Sequence, residues 1–503
     1  MHPTRGVLLK RIPSAAHEGR VVAVLAYAGI VAAIMQTLVV PLIAQLPTML
    51  GTTASNASWI ITITMLTGAV ATPVAGKLGD MYGKRSVILI LTAPMVVGSA
   101  VCALSSSVVP MVVGRGLQGL GIGIVPLGIS LLKDVVPPRR LHSSIALMSA
   151  SMGVGGALGL PFAAAVAENA DWRVLFWVTA GMSVLIAVLV ATLIPAVRPD
   201  AEERGRFDLL GALGLGAALV CLLLAVSKGS DWGWSSGTVL GLFVAAVVIL
   251  LVWGWWELRT PHPLVDLRVT ARPQVLWTNA ASILVGFAMY AQSLVIPQIL
   301  QLPTRTGYGL GQSMVAMGLW MAPAGVFMMA FSPVGAKITA RFGAKVTLAL
   351  GGLTIAIGYG SAQALLGSTW GLLVVTILCA AGVGLAYGAM PALIMGAVPH
   401  HELGAANGFN SVMRSVGSAI AAAVMGVVLA QMTTDFGGHP LPSLSGLRVA
   451  LLIGTGVAVA AAVIAALIPV RGETSPRRGG KAADPSRRDA SDDPGSEVAR
   501  ALA

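Results

Sequence analysis

Two short stretches place charged residues where they can act. In Gly76-Lys77-Leu78-Gly79-Asp80-Met81-Tyr82-Gly83-Lys84-Arg85 an acid lies between glycines and just before a basic pair. Gly76 and Gly83 permit a tight turn and close helix contact. Asp80, closing an apolar run, is free to face the N-terminus of another helix or a neighbouring arginine. The second stretch, Arg115-Gly116-Leu117-Gln118-Gly119, is inside an apolar run, with Arg115 about 10 Å from its start at 1.5 Å per residue. A cation at that depth is costly. It serves either a substrate or proton path or a set of neighbouring backbone carbonyls, and the spacing leaves both open.

Catalytic constellations are not visible. Cys102, Cys221 and Cys379 lie in apolar runs, and no Cys/His spacing suits a disulfide or a metal. The histidines fall in polar connections, and no acid pairs project from a helix. An enzyme, a cofactor and a metal are therefore not expected.

The elements that must position these residues follow from composition. Of 503 residues, 56% are apolar and 10% charged, with a net charge of +12 and a mean hydropathy of +0.84. Soluble domains carry about a quarter charged residues, so a soluble enzyme, a secreted disulfide scaffold and a nucleic-acid binder are excluded. The apolar residues form blocks near the roughly 20 residues that cross a bilayer. Fourteen spans are predicted, at 21–46, 58–78, 87–104, 108–133, 142–168, 173–195, 209–227, 237–258, 275–301, 312–333, 345–366, 370–397, 407–432 and 446–470. With the N-terminus inside, 26 of 32 Lys and Arg fall on the inner side, four outside, and Arg115 and Arg414 within spans. That asymmetry predicts both termini in the cytoplasm of a multi-pass protein of the inner cell membrane. Residues 1–20 read as a cytoplasmic N-terminus and 471–503 as a disordered cytoplasmic tail. Trp232, Trp234, Trp253, Trp255 and Trp256 read as interfacial belts.

An internal repeat appears at an offset of 260. Thr72-Pro73-Val74 recurs as Ser332-Pro333-Val334, Lys77 as Lys337, Tyr82-Gly83 as Phe342-Gly343 and Arg85 as Lys345. The offset spans eight helices, so both copies point the same way. The predicted fold is an all-α membrane protein of two parallel six-helix bundles (21–195 and 275–470) separated by an inserted helix pair (209–258). Parallel halves of this kind are a transporter architecture. Ala336 and Ala340 replace the first glycine and the acid in the second copy.

The Gly76–Arg85 segment resembles the signature loop between helices two and three of the major facilitator superfamily. Arg115-Gly116-Leu117-Gln118-Gly119 is similar to that superfamily's Arg-x-x-Gln-Gly pattern. Asp171-Trp172-Arg173 with Phe176, and Pro263-Leu264-Val265-Asp266-Leu267-Arg268, resemble segments of its fourteen-helix drug:proton antiporter branch. The resemblance runs from about residue 20 to 470. It implies alternating access and export of small amphiphilic molecules, with Gly76, Asp80, Gly83, Lys84 and Arg85 as a conformational latch. It implies Arg115, Gln118 and Gly119 as a substrate- or proton-handling group.

Two departures stand out. The glycine run Gly155-Gly156-Ala157-Leu158-Gly159-Leu160-Pro161 is a degraded form of the branch's antiporter motif, with the proline displaced by one. Where the branch carries an acid in span one, this chain aligns Met35, or Gln36 one register away. The acids that touch spans are read as Asp80, Asp134 and Glu168, each at an end. Glu168 and Arg414 join the coupling candidates, and Gln36, Asn279, Tyr290, Gln292 and Gln298 are cavity candidates, each equally able to bridge two helices. The expected partners are the lipid bilayer, a small-molecule substrate and protons, with no nucleic acid, and the chain is expected to act as a monomer. A facilitator or importer of a small metabolite, or a transport-dead sensor or scaffold of the same fold, is the alternative.

Overall fold

In lipid every backbone N–H and C=O must find a partner within the protein, which leaves helices as the solution for long apolar runs. A computed structural model describes residues 15–39, 42, 46–52, 54–196, 206–436 and 439–469. Within these it has 14 helices long and apolar enough to cross a membrane. They are α1 Ala15–Thr37, α2 Ala54–Tyr82, α3 Lys84–Leu104, α4 Val108–Val135, α5 Pro138–Asn169, α6 Arg173–Leu193 and α7 Leu209–Trp232. There follow α8 Gly237–Arg259, α9 Pro273–Gln301, α10 Met314–Phe342, α11 Ala344–Leu365, α12 Thr369–Ala397, α13 Leu403–Gln431 and α14 Leu444–Leu467. A hairpin of β1 Thr433–Phe436 and β2 His439–Pro442 joins the last two. The tail from 471 to 503 lies outside the described residues.

The first span differs from its predicted limits. α1 begins at Ala15 and ends at Thr37, because Pro41 cannot continue a helix and restricts the residue before it. Its early start carries Glu18 into the protein, 3% exposed and 3.6 Å from Arg140 Nη1. Asp231 and Glu257 also lie within helices, so Asp80, Asp134 and Glu168 are not the only acids that touch spans. A second local departure is in α4. Pro126 lacks an N–H and crowds the carbonyl four residues back, and the ladder tightens into a 3-10 turn at Gly121–Gly123.

The repeat is reproduced residue for residue in α2 and α10, which both run 29 residues from positions 260 apart. Each ends on a glycine with positive φ, Gly83 at 94° and Gly343 at 89°, a conformation that side chains resist. The bundles meet along two seams. In one, α2 packs against α13, and a Cβ at Gly76 or Gly404 would strike the other's backbone carbonyl. In the other, α5 packs against α10, where Gly325 lies on Ala157 and the Gly153 carbonyl. Close backbone approach through small residues is how helices associate when lipid offers no hydrophobic drive. The glycine run of α5 faces α1: Gly155 abuts the Ile30 carbonyl and Gly159 the Thr37 hydroxyl. The inserted pair α7–α8 docks on α2 and α13 through Leu215, Leu219 and Trp253 against Ala69 and Val412. Trp253 is thus buried, 7% exposed, rather than part of an interfacial belt, whereas Trp255 is 54% exposed and stacks with Arg259.

Candidate functional site

The first turn of a helix has amide N–H groups with no partner inside the helix. At the start of α13 two of these groups are taken by an acid from the other bundle. Gly404 N donates to Asp80 Oδ1 and Ala405 N to Asp80 Oδ2, both at 3.0 Å. A carboxylate there also meets the positive end of the helix dipole. Gly76 and Gly404 make the contact possible, since neither position has room for a Cβ, and Gly408 lies against Thr72 and Pro73 one turn further on.

The basic pair of the same loop is anchored within its own bundle. Gly83 serves as the N-cap of α3, which turns the buried Lys84 into the helix bundle, 2.8 Å from Asp134 Oδ2 and 3.3 Å from the Ser130 carbonyl. Arg85 donates to the Val190 and Ala191 carbonyls of α6. A second link between bundles on this face runs from Lys133 Nζ to the Met395 carbonyl of α12, at 3.1 Å.

Arg115 is 1% exposed. Its guanidinium donates to the Met35 carbonyl of α1 at 2.6 Å, to the Ile60 carbonyl of α2 at 3.3 Å and to Gln118 Oε1 at 2.7 Å. Gln118 in turn donates to Ser99 of α3 at 2.7 Å. Gly119 brings α4 against the Thr64 carbonyl and Thr67 hydroxyl of α2. These three residues knit four helices of one bundle together.

Arg414 is the corresponding buried cation of the other bundle. It donates to Asn410 Oδ1 at 2.7 Å, and Asn410 Nδ2 reaches Asn279 Oδ1 at 2.8 Å and Ser282 at 2.7 Å. The Tyr387 ring lies 5.0 Å from the guanidinium carbon. Asn279 Nδ2 has no hydrogen-bond partner, and Asn279 lines a narrow cleft with Lys77, Asp266, Glu402 and Ala405. The cleft therefore runs from the Arg414 network to the Asp80 contact. At its mouth Glu402 is pushed above the usual carboxylate range by burial and by the Asp266 carboxylate, against the pull of His401, Lys77 and Arg272.

The other candidates are dispersed. Gln36 bonds back to the Ala32 carbonyl of its own helix at 3.4 Å. Gln292 bridges α9 to the Thr376 carbonyl of α12 at 3.5 Å. Tyr290 and Gln298 are half-buried on α9, and the side chain of Glu168 lies outside the described residues. Sequence reasoning missed Asn410, although its spacing of four from Arg414 puts both on one helix face. It also missed Gly404 and Ala405, whose contribution is backbone and leaves no residue-type signal.

A second, tightly closed crevice lies on the α5–α10 seam, lined by His142, Ser332, Ala336, Thr339 and Gly388 among others. Here the second copy of the loop offers no acid.

Comparison with known proteins agrees with this architecture. An uncharacterized MFS-type transporter of Mycobacterium tuberculosis is 29% identical over 410 residues, covering 80% of this chain and 58% of that relative, so the chain spans less than two thirds of its length. The tetracenomycin C resistance and export protein of Streptomyces glaucescens is 28% identical over 397 residues, 76% of this chain and 70% of that one. In fold, the chain resembles the human organic anion transporter MFSD10, with a TM-score of 0.62 at 14% identity over 89% of this chain and 99% of that chain. The family model described as Major Facilitator Superfamily matches residues 25–422 and 280–492. With two bundles, a helix-end acid bridging them and a family match over most of its length, the chain belongs to the Major Facilitator Superfamily.

Proposed function

We propose that this chain exports small amphiphilic molecules across the cytoplasmic membrane by alternating access, with both termini in the cytoplasm. The observation that carries the reading is the pair of bonds from Asp80 of one bundle to the α13 N-terminus of the other. These bonds exist only while the bundles are together on that face, so they favour one of two states. The inside bias of Lys and Arg supports reading this as the cytoplasmic face. The export direction draws on the relative whose name includes resistance and export.

The substrate class follows from charge. Arg115 and Arg414 are buried cations, and among the described residues no carboxylate lies near the middle of a helix. Unit charges of like sign repel by several kcal/mol at low dielectric, so neutral or anionic amphiphiles are preferred over lone cations. Proton coupling then runs through acids at helix ends rather than a midplane carboxylate.

The test is an accumulation assay with a broad compound panel in a pump-deficient bacterium, with and without an uncoupler. Lower accumulation of neutral or anionic compounds, reversed by the uncoupler, supports proton-driven export. Lower accumulation that the uncoupler leaves unchanged points to a facilitator. No change with any compound removes the export reading.

A further inference from the structure

Two acids outside the bundles meet where α7 begins and α8 ends. Asp208 caps α7, accepting from Gly211 N at 2.8 Å and from Trp256 Nε1 through both oxygens, at 3.2 and 3.1 Å. Glu257 comes from α8 and is 3% exposed. A Cβ added at Gly211 would stand against Asp208 Oδ2 and Glu257 Oε1 at once. The two oxygens are therefore within about 5 Å of each other, a range in which carboxylates resist ionising together.

The surroundings do not balance two negative charges. Among the described residues no salt bridge reaches either acid. Two nearby basic groups are directed elsewhere, Arg259 onto the Trp255 ring and Arg268 onto the Leu258 carbonyl, and Arg206, two residues before Asp208, is exposed. Asp266 is occupied with the Arg268 and Val269 amides, and Lys77 and Glu402 lie across the cleft. Glu257 Oε1 is buried with no hydrogen-bond partner. The indole N–H of Trp253, one turn earlier on the same face and 7% exposed, faces that carboxyl without forming a well-aligned bond to it. A buried carboxylate oxygen held only by poorly aligned donors is costly, and a proton shared with Asp208 lowers that cost.

We propose that Asp208 and Glu257 form a proton-binding site in the inserted helix pair that controls the cleft beside the Asp80 contact. One proton from cytoplasmic water is held between the two carboxyls, with the Glu257 O–H directed at Asp208 Oδ2. Glu257 Oε2 meanwhile accepts from Val265 N at 3.4 Å. Leu264 and Val265, 0% and 2% exposed, are clamped in this way, and both line the cleft with Lys77 and Ala405. Loss of the proton sets two anions against each other; where that repulsion drives Glu257 away from Asp208 it pulls the carboxyl off Val265 N, frees the 264–265 segment and loosens the wall beside Ala405, whose N–H binds Asp80. The proton site rests on geometry alone; its link to the transport cycle rests on the export reading.

The site is tested with the purified full-length protein in lipid, without any substrate. Two readouts are followed against pH: the infrared band of a protonated carboxyl, and the thiol-labelling rate of a Val265→Cys protein above the background of its parent. The wild-type band should disappear as pH rises while labelling increases about tenfold over the same interval. Glu257→Gln should abolish both changes. Asp208→Asn, which keeps a capping oxygen, should move both to lower pH by about one unit. A wild-type protein with no titrating band, or a Glu257→Gln protein that keeps both transitions, overturns the site. Suppression of the band by sodium at fixed pH would make the occupant a metal cation instead of a proton. Because neither readout needs flux, failure of export would leave this result standing, and the reverse also holds.

Discussion

Asp80 and Gly404, 324 residues apart in sequence, are joined by a 3.0 Å hydrogen bond between the two bundles. An acid at a helix N-terminus contributes about 1 kcal/mol, enough to shift a two-state balance about fivefold without affecting folding. Asp80→Asn should therefore slow transport strongly and leave membrane abundance nearly unchanged. Flux assays normalised to abundance check this, and wild-type flux would remove the latch.

The glycine contact beneath that bond gives a second prediction. Gly76→Ala places a methyl against the Gly404 carbonyl, whereas Gly156→Ala meets nothing within 4 Å. The first should hold the bundles apart on this face and raise thiol labelling of cysteines placed along α2. The second should be silent in the same assay. Equal labelling in both variants would show that the seam tolerates the methyl.

Arg115 binds carbonyls from two different helices and Gln118 besides. Arg115→Ala strands buried acceptors, at about 1–3 kcal/mol each, and should lower both the melting temperature and abundance. Lysine lacks the planar fork, so Arg115→Lys should recover only part of the loss. A thermally unaltered Arg115→Ala protein with no flux would instead assign the residue to the substrate or proton path.

The spans, the repeat and the loop motif were legible because each is written locally, in runs of apolar residues and in spacing. The partners were not. Lys84 meets Asp134 and Asp80 meets Ala405 only after the helices pack, and Met35 takes part through its carbonyl, which any residue would supply. Glu257 closes an apolar run beside Arg259 and reads as a solvated helix end. Only the fold shows it turned inward beneath Leu264.

Orientation is open to direct measurement. Ser106, Thr304, Arg139 and His401 are all exposed. Cysteines at the first two should react with an impermeant reagent applied from outside, and cysteines at the last two should not. External labelling at position 401 would invert the topology.

Glu402 gives a pH prediction. Its carboxyl is raised by burial and by Asp266, so the folded form holds the proton more tightly than the unfolded chain does. The native state is favoured most below the ordinary carboxylate range and loses that advantage as pH climbs through the raised value. Protection of the Gly404 and Ala405 amides, corrected for intrinsic exchange, should fall over that window in the wild type and stay flat in Glu402→Gln.

Ala340 stands where the repeat would put a second Asp80, so the α5–α10 seam has no matching acid. The acid-to-helix fastening is thus on one side only, and the other link described on this face is the single Lys133–Met395 bond. Parting along α5–α10 breaks no acid-to-helix bond, while parting along α2–α13 breaks two. A separation that starts along α5–α10 would therefore pivot on the α2–α13 edge, and its first gap would face the side of the protein.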